Sequence, residues 1–408
     1  MDVIMKYYNI NRLLLLGIGL WPYQKYTFNK FHVICVFIIL TQALVLQMTT
    51  FFTTGFNIPL LLEVLSTLFI TIVFIFKYNT VYLNMNKVKL FFEHIKYTWD
   101  TLKDPVEIEI MKKQTNIGRW YTKHFMLTMY IITFLFVMTH YVPLFLDVVL
   151  PLSEPRQRRI LVIGEMFIDQ HKYFHVILLN IMISSFVGMS TVIAAETMLM
   201  ALVQHTCGLL KVTSYRVTRA FDNDYCSVLR HGKKCIVCSR LASAVKIHRS
   251  AILFSDYIRD CFGISYLILI SFGVASLSIN LYRLSLVLVM NNIDTLIISA
   301  FICGHFLYMF WCNYAGQELM NHSAEVYYQT YNAQWYMSAV HDQKMLMLIM
   351  HRSAKPPVIG VSSLFVGSLE GFGTVINLFE VILADISIMI KIRKDIITLL
   401  FTKLNILH

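Results

Sequence analysis

Seven apolar runs divide this chain, and each is long enough to cross a lipid bilayer as a helix. A helix needs about 20 apolar residues to span a hydrocarbon core of about 30 Å, and within that core it must satisfy its own backbone hydrogen bonds. Only 14% of the 408 residues are charged, whereas soluble domains average about a quarter. We therefore predict an all-α membrane protein with seven transmembrane helices, near residues 33–52, 58–76, 125–150, 173–203, 262–290, 293–314 and 358–390.

The last run is too long for one straight crossing. It covers residues 358–390, which would extend roughly 50 Å as a helix. Gly367, Gly371 and Gly373 lie near its middle, and glycine is where a helix most readily breaks or lets another backbone approach. The pattern predicts two half-helices that meet near Gly371.

Positive charge predicts the orientation. The amino terminus and the three long links between runs hold 26 of the 35 Lys and Arg residues. Because such residues collect on the cytoplasmic side, the amino terminus is predicted inside and the carboxyl terminus outside, although the four cations of residues 391–408 run against this rule. Topology thus explains the net charge of +11, and no basic face that would bind nucleic acid is evident.

These features predict five regions along the chain. They are an interfacial segment at 1–32, six helices at 33–314, a cytoplasmic segment at 315–357, the broken last helix at 358–390 and a tail at 391–408. In the cytoplasmic segment, aromatic residues recur at helical spacing, a pattern that is typical of packing surfaces and here favours a contact between helices or subunits. The residues in this stripe are Tyr327, Tyr331 and Trp335.

Enzyme and cofactor signatures are absent from the sequence. It contains no His-Glu-x-x-His zinc motif, Gly-x-Ser-x-Gly elbow, Walker A loop or dinucleotide fingerprint. His171 and His175 are four residues apart but have no third strong ligand, and the Cys235–Cys238 spacing has no second pair. We predict neither catalysis, nor a cofactor, nor a metal site.

Ionisable residues within the apolar runs are candidates for function. Counted at 1.5 Å per residue, Glu196 reaches an interface, and Glu63 either binds a polar ligand group or extends to the interface. Glu380 and Asp385 would lie roughly 9 and 16 Å beyond Thr374, inside the last run. Five residues apart, they are offset by about 140° on a helix, so only one of them could form a cation-attracting ring around a narrow pore. Alternatively, both are buried against neighbouring helices, or the segment does not insert normally.

Several ordered motifs resemble those of the insect odorant receptor family, and particularly its large ant and wasp subfamilies. The resemblance covers residues 1 to about 373. The motifs are GIGLWP at 17–22, FIDQ at 167–170 with KYF at 172–174, QHTCG at 204–208, GQE at 316–318, YNAQWY at 331–336, QKM at 343–345 and LFVGSLEGF at 364–372.

This resemblance implies a ligand-gated, nonselective cation channel in the plasma membrane of olfactory sensory neurons. The chain would be the ligand-tuning subunit of this channel and would form a heterotetramer with a co-receptor. Its last helix would have an anchor half followed by a pore half. After Phe372 the sequence departs from the family pattern, because Glu380, Asp385 and a basic tail replace the usual pore ending. A divergent pore and a wrongly spliced reading of the gene would both produce this departure.

The resemblance also implies that a small volatile or hydrocarbon ligand binds in the outer half of the helical bundle. Aromatic and apolar residues at the outer ends of the third, fourth and sixth helices are the candidates for its pocket. They are Met138, Tyr141 and Leu144, then Phe174, Ile177, Leu178 and Ile181, and finally Ile298, Phe301 and His305.

Two other classes of membrane protein remain open as alternatives. A G-protein-coupled receptor also has seven helices, but its orientation would be reversed, and no Asp-Arg-Tyr or Asn-Pro-x-x-Tyr motif occurs. A transporter would usually show internal repeats and more charges at the membrane midplane.

Overall fold

The computed structural model describes residues 2–24, 26–53, 57–150, 172–221, 234–287, 293–358, 367–377, 379 and 381. These ranges contain helices and turns but no β-strand. The helices are α1 (Asp2–Tyr7), α2 (Asn9–Gly17), α3 (Tyr26–Thr53), α4 (Ile58–Leu83), α5 (Met85–Thr101), α6 (Pro105–Thr139), α7 (Val142–Val149), α8 (Phe174–Arg219), α9 (Lys234–Val287), α10 (Ile293–Asn332) and α11 (Val340–Ser353), with a 3₁₀ turn at Trp335–Met337 and a last helix, α12, at 369–377.

Six of the described helices are long and apolar enough to cross a membrane. Helix α8 lies at the centre, where it packs against α3, α4, α6, α9 and α10. The seventh predicted crossing, 358–390, lies partly outside the described residues, and α12 is the part of it that can be described. The chain is therefore an all-α membrane protein. The spans are Lys30–Phe52, Ile58–Leu83, Pro105–Thr139, Phe174–Arg219, Val237–Val287 and Thr295–Asn332.

Three helices continue far beyond the predicted apolar runs. Helices α8, α9 and α10 have 46, 54 and 40 residues, so each would extend about 60 Å or more. Their extensions pack with α11 into a second core, which buries Leu241, Leu319 and Leu346. Hydropathy marks only the portion of a helix that lies in lipid, which explains why the runs underestimated these lengths.

The third predicted run is broken in the structure. Helix α6 ends at Thr139, His140 and Tyr141 form a turn, and the short helix α7 follows. Pro143 lies in the first turn of α7, where a missing backbone N–H is tolerated, whereas within a continuous helix it would remove a hydrogen bond and clash. The prediction of one helix over 125–150 was therefore wrong.

The amino-terminal segment, predicted to be interfacial, packs onto other helices. Tyr7 stacks on Trp99 with ring centroids 4.9 Å apart, and Trp21 meets Phe92 edge-on at 5.0 Å. Both partners belong to α5, so the segment closes the first hydrophobic core at that helix. Gly19 turns the chain with a φ of 73°, a backbone conformation that glycine adopts at little cost.

Two motifs near the carboxyl end meet at the start of α12. The Gly367 backbone lies against Gly316 of α10, at a spot where any side chain would overlap the Gly367 carbonyl. The Leu369 N–H donates to Gln317 Oε1 at 3.2 Å, and the Ser368 hydroxyl caps α12 by accepting from the Gly371 N–H at 3.0 Å. The second half of the predicted broken helix, α12, begins at residue 369, two residues before Gly371, and most of the first half lies outside the described residues.

The predicted aromatic stripe does not lie on a single helix. Helix α10 ends at Asn332, so Trp335 lies in the 3₁₀ turn, where its indole N–H donates to the Tyr331 carbonyl at 3.1 Å. Tyr331 and Trp335 are exposed in the isolated chain, and Tyr327 is partly buried. A contact between subunits remains a prediction for these three residues.

Candidate functional site

A cavity of about 480 Å³ lies inside the bundle. Its lining comes from α3, α4, α6, α8, α9 and α10, and most of the lining side chains are apolar. On α6 the lining extends from Met129 to Thr139, on α8 from Asn180 to Val192 and on α10 from Ile297 to Tyr308. The cavity thus lies nearer the ends at which α8 and α10 begin and α6 finishes. Its volume and apolar walls are typical of small-molecule pockets.

One wall of the cavity carries a hydrogen-bonded polar pair. His305 of α10 has its Nδ1 2.9 Å from the Phe301 carbonyl oxygen and its Nε2 3.0 Å from the Ser276 hydroxyl of α9. Phe301 meets Phe136 of α6 edge-on, with ring centroids 5.1 Å apart. These contacts connect α6, α9 and α10 around the cavity.

At the deeper end of the cavity, a lining tyrosine contacts a buried ion pair. Tyr308 Oη of α10 donates to Glu196 Oε1 of α8 at 2.8 Å, and the same carboxylate pairs with the Lys77 ammonium of α4. The side chains of Lys77 and Glu196 are each only 8% exposed. Neighbouring helices therefore cover the Glu196 carboxylate, and its depth at a membrane interface stays a prediction.

The helices that line the cavity also pack against α12. Phe372 meets Phe310 of α10 with ring centroids 5.9 Å apart, and Phe379 meets Phe306 at the same distance. Val375 and Phe379 are buried in a cluster with residues of α9 and α10. One face of α10 therefore borders the cavity while another packs on the last helix.

Comparison with known proteins agrees with this architecture. The family model described as 7tm Odorant receptor matches residues 57–379, which is most of the chain. The chain belongs to the odorant receptor family. No curated protein matches the sequence significantly.

Two solved structures share the receptor's fold. One is the insect olfactory receptor OR5 from Machilis hrabei, with a TM-score of 0.76, 12% identity and coverage of 96% of this chain and 99% of that chain. The other is the same protein in complex with eugenol, with a TM-score of 0.73, 12% identity and coverage of 95% and 98%. At this identity the likeness shows the fold.

Three of the residues predicted for ligand binding line the receptor's cavity. They are Ile181 on α8 and Phe301 and His305 on α10. Phe174, Ile177 and Leu178 are buried in the first turns of α8, closer to its beginning than the cavity lining. Ile298 is buried in the cluster with α9 and α12.

The candidates from the third predicted helix lie outside the cavity lining. Met138 is exposed, Tyr141 precedes α7, and Leu144 lies within α7. The lining of α6 instead includes Thr133 and Phe136. Because α7 separates from α6 at the turn, positions beyond Thr139 no longer follow the helix face that borders the cavity.

Sequence reasoning missed Ser276, Tyr308 and Lys77. Ser276 is one of several serines on α9, Tyr308 is one of several aromatic residues on α10, and Lys77 directly follows the second apolar run, so no signal in the sequence separates them from their neighbours. Arg283 is the ion-pair partner of Glu63, with Nη2 and Oε1 3.4 Å apart, so the Glu63 carboxylate has a protein partner. Glu380 and Asp385, predicted for the pore, lie outside the described residues.

A possible metal-binding group lies away from the cavity. The thiol of Cys238 and the side chains of His341 and Asp342 have ligand atoms within 4.8 Å of one another. They come from α9 and the start of α11. Their donor types suit zinc, but His341 is largely exposed. A structural zinc site has four protein ligands, and this group supplies three.

Proposed function

We propose that this receptor is the ligand-tuning subunit of an odorant-gated, nonselective cation channel in the plasma membrane of olfactory sensory neurons. The observation that supports this function best is the cavity of about 480 Å³, which is large enough for a small volatile molecule. The related OR5 protein has been solved in complex with eugenol, an odorant-sized ligand. We propose that Ile181, Phe301 and His305 contact the ligand here, and that the buried residues Phe174, Ile177, Leu178 and Ile298 support those contacts.

Coupling between ligand and pore would pass through α10. One face of this helix carries Phe301 and His305 at the cavity, and another carries Phe306 and Phe310 against α12. A ligand that favours one position of α10 would therefore also favour one position of α12, because packed interfaces change between discrete arrangements. This arrangement supports a ligand-gated channel without a separate signalling protein.

The pore and the assembly surface complete the proposal. One of Glu380 and Asp385, whose faces are about 140° apart on a helix, would face a pore axis formed by four chains, where a ring of carboxylates attracts cations. Tyr331 and Trp335, which are exposed in the isolated chain, would contact a co-receptor subunit. The ant and wasp subfamily remains a prediction from the motifs.

Electrical recording from cells that express the receptor with a co-receptor tests this function. An odorant panel should evoke cation current only when both chains are present. Phe301→Ala should raise the half-maximal concentration of an active odorant about tenfold or more, because a buried aromatic contact is lost. Tyr141→Ala is the matched control, since Tyr141 lies outside the cavity lining. Absence of odorant-evoked current, or equal effects of both variants, would contradict the proposal.

A further inference from the structure

The contacts of His305 determine which of its nitrogens carries the proton. Nδ1 lies 2.9 Å from the Phe301 carbonyl oxygen, which can only accept a hydrogen bond. Nδ1 therefore donates, and in the uncharged ring Nε2 is left with a lone pair. The Ser276 hydroxyl, 3.0 Å away, must then donate to Nε2.

This arrangement leaves Ser276 unable to donate to a ligand. Its single hydroxyl proton points to His305, and the two lone pairs of its oxygen remain. Because a hydroxyl that donates becomes a better acceptor, the oxygen is well prepared to accept one further hydrogen bond. A ligand hydroxyl that donates to Ser276 would complete a chain of hydrogen bonds, in which Ser276 donates to His305 and His305 donates to the Phe301 carbonyl. A ligand carbonyl at the same point would face another acceptor.

Other hydroxyls around the cavity are committed in the same way. Four threonines donate to backbone carbonyls of their own helices, and Tyr308 donates to Glu196. Among the lining residues, amide or hydroxyl donors that remain for a ligand are on Gln47 of α3 and on Asn180, Ser184 and Ser185 of α8. The committed threonines are Thr67, Thr71, Thr133 and Thr139.

We infer that this receptor selects ligands that carry a hydroxyl group over carbonyl compounds of the same carbon skeleton, because the ligand hydroxyl donates to Ser276 Oγ. This inference rests on the proposed function of the cavity. Ser276 would be the residue that sets the preference, and His305 would set it indirectly by holding the Ser276 proton.

Matched series of straight-chain compounds test the inference. Hexanol, octanol and decanol are compared with the aldehydes and alkanes of equal chain length, by evoked current in cells and by thermal stabilisation of the purified receptor in detergent. Octanol should act at a concentration about tenfold or more below octanal, since an unsatisfied buried acceptor disfavours the aldehyde. Equal or reversed potency of alcohol and aldehyde in both assays would overturn the inference.

Three variants separate hydrogen bonding from a general packing effect. Ser276→Ala should bring the ratio of alcohol to aldehyde potency close to one, while Ser276→Thr should keep the preference. His305→Phe releases the Ser276 proton, so the potency of octanal should rise relative to octanol. Ser278→Ala, on the same helix as Ser276 but outside the cavity lining, is the control and should leave the ratio unchanged. A preference that survives Ser276→Ala would overturn the inference.

The two assays distinguish this inference from the proposed function. If alcohols stabilise the purified receptor selectively but evoke no current, the channel role fails while the hydroxyl selectivity stands. If current is evoked equally by alcohols, aldehydes and alkanes, the channel role stands and the selectivity fails.

Discussion

Among the described glycines whose surroundings can be compared, Gly316 leaves least room for a side chain. Its α-carbon faces the Gly367 backbone, and the adjacent Gln317 accepts a hydrogen bond from the Leu369 N–H. Together these contacts place the beginning of α12 against α10. The absence of a β-carbon at Gly316 is therefore what brings the last helix close enough to bond with its neighbour.

We predict that Gly316→Ala weakens this junction. The new methyl group would overlap the Gly367 carbonyl oxygen, and relieving that overlap should cost about 1–3 kcal/mol and separate α12 from α10. Surface expression and odorant-evoked current should both fall. Gly373→Ala is the control, because no neighbouring atom lies within 4 Å of a β-carbon there. Normal current from Gly316→Ala would show that the junction tolerates a side chain.

Individual site residues could be predicted only in part. Phe174, Ile177, Leu178 and Ile181 share one helix face, and that face is indeed buried, but only Ile181 lies deep enough to border the cavity. Periodicity gives the face of a helix but not its depth or the position of its neighbours. Ser276 was missed for the same reason, since its importance depends on His305 of another helix.

At the scale of helices, the buried contact of Lys77, Glu196 and Tyr308 joins α4, α8 and α10. The apolar runs predicted these helices as separate crossings. Which of their polar side chains meet depends on which residues lie at the same depth in the bundle, and the runs do not give that depth. Removing one partner of a buried ion pair lowers the stability of the fold strongly, because the remaining charge is then buried without an opposite charge.

We predict that Lys77→Met and Glu196→Gln each lower the thermal stability of the receptor in detergent, by about 3 kcal/mol. The double variant should lose less than the sum of the two, which a double-mutant cycle measures. Glu63→Gln serves as the control, since its pair with Arg283 is more exposed and should be worth about 1 kcal/mol or less. Additive losses at Lys77 and Glu196 would mean that the two charges do not depend on each other.

At the scale of the whole molecule, the sequence specified the fold class well. The length of a crossing is set by the thickness of the bilayer, and six of the seven predicted runs overlap described helices that are long enough to cross it. The charged link 204–261 predicted that its flanking helices extend beyond the lipid, but the length of the extensions could not be predicted, because there their stability comes from packing with α11.

Orientation gives a prediction for the whole receptor. Since 26 of the 35 Lys and Arg residues flank one side, Asn321 of the Asn-His-Ser sequon should lie in the cytoplasm and remain without glycan. A sequon introduced by Gln157→Asn with Arg159→Thr, in the link predicted outside, should be modified. Mass shifts on glycosidase treatment of protein from intact cells measure both. A glycan on Asn321 would reverse the predicted orientation.

The buried pair of Lys77 and Glu196 also bears on the order in which the receptor is made. Helix α4 leaves the ribosome before α8, so Lys77, at the predicted cytoplasmic end of that crossing, is made before its partner exists. Until then its long side chain can keep the ammonium group hydrated by extending to the nearest interface. Helix α4 should therefore reach its final depth only after α8 has been inserted, which makes biosynthesis of the receptor sensitive to any delay between these two helices.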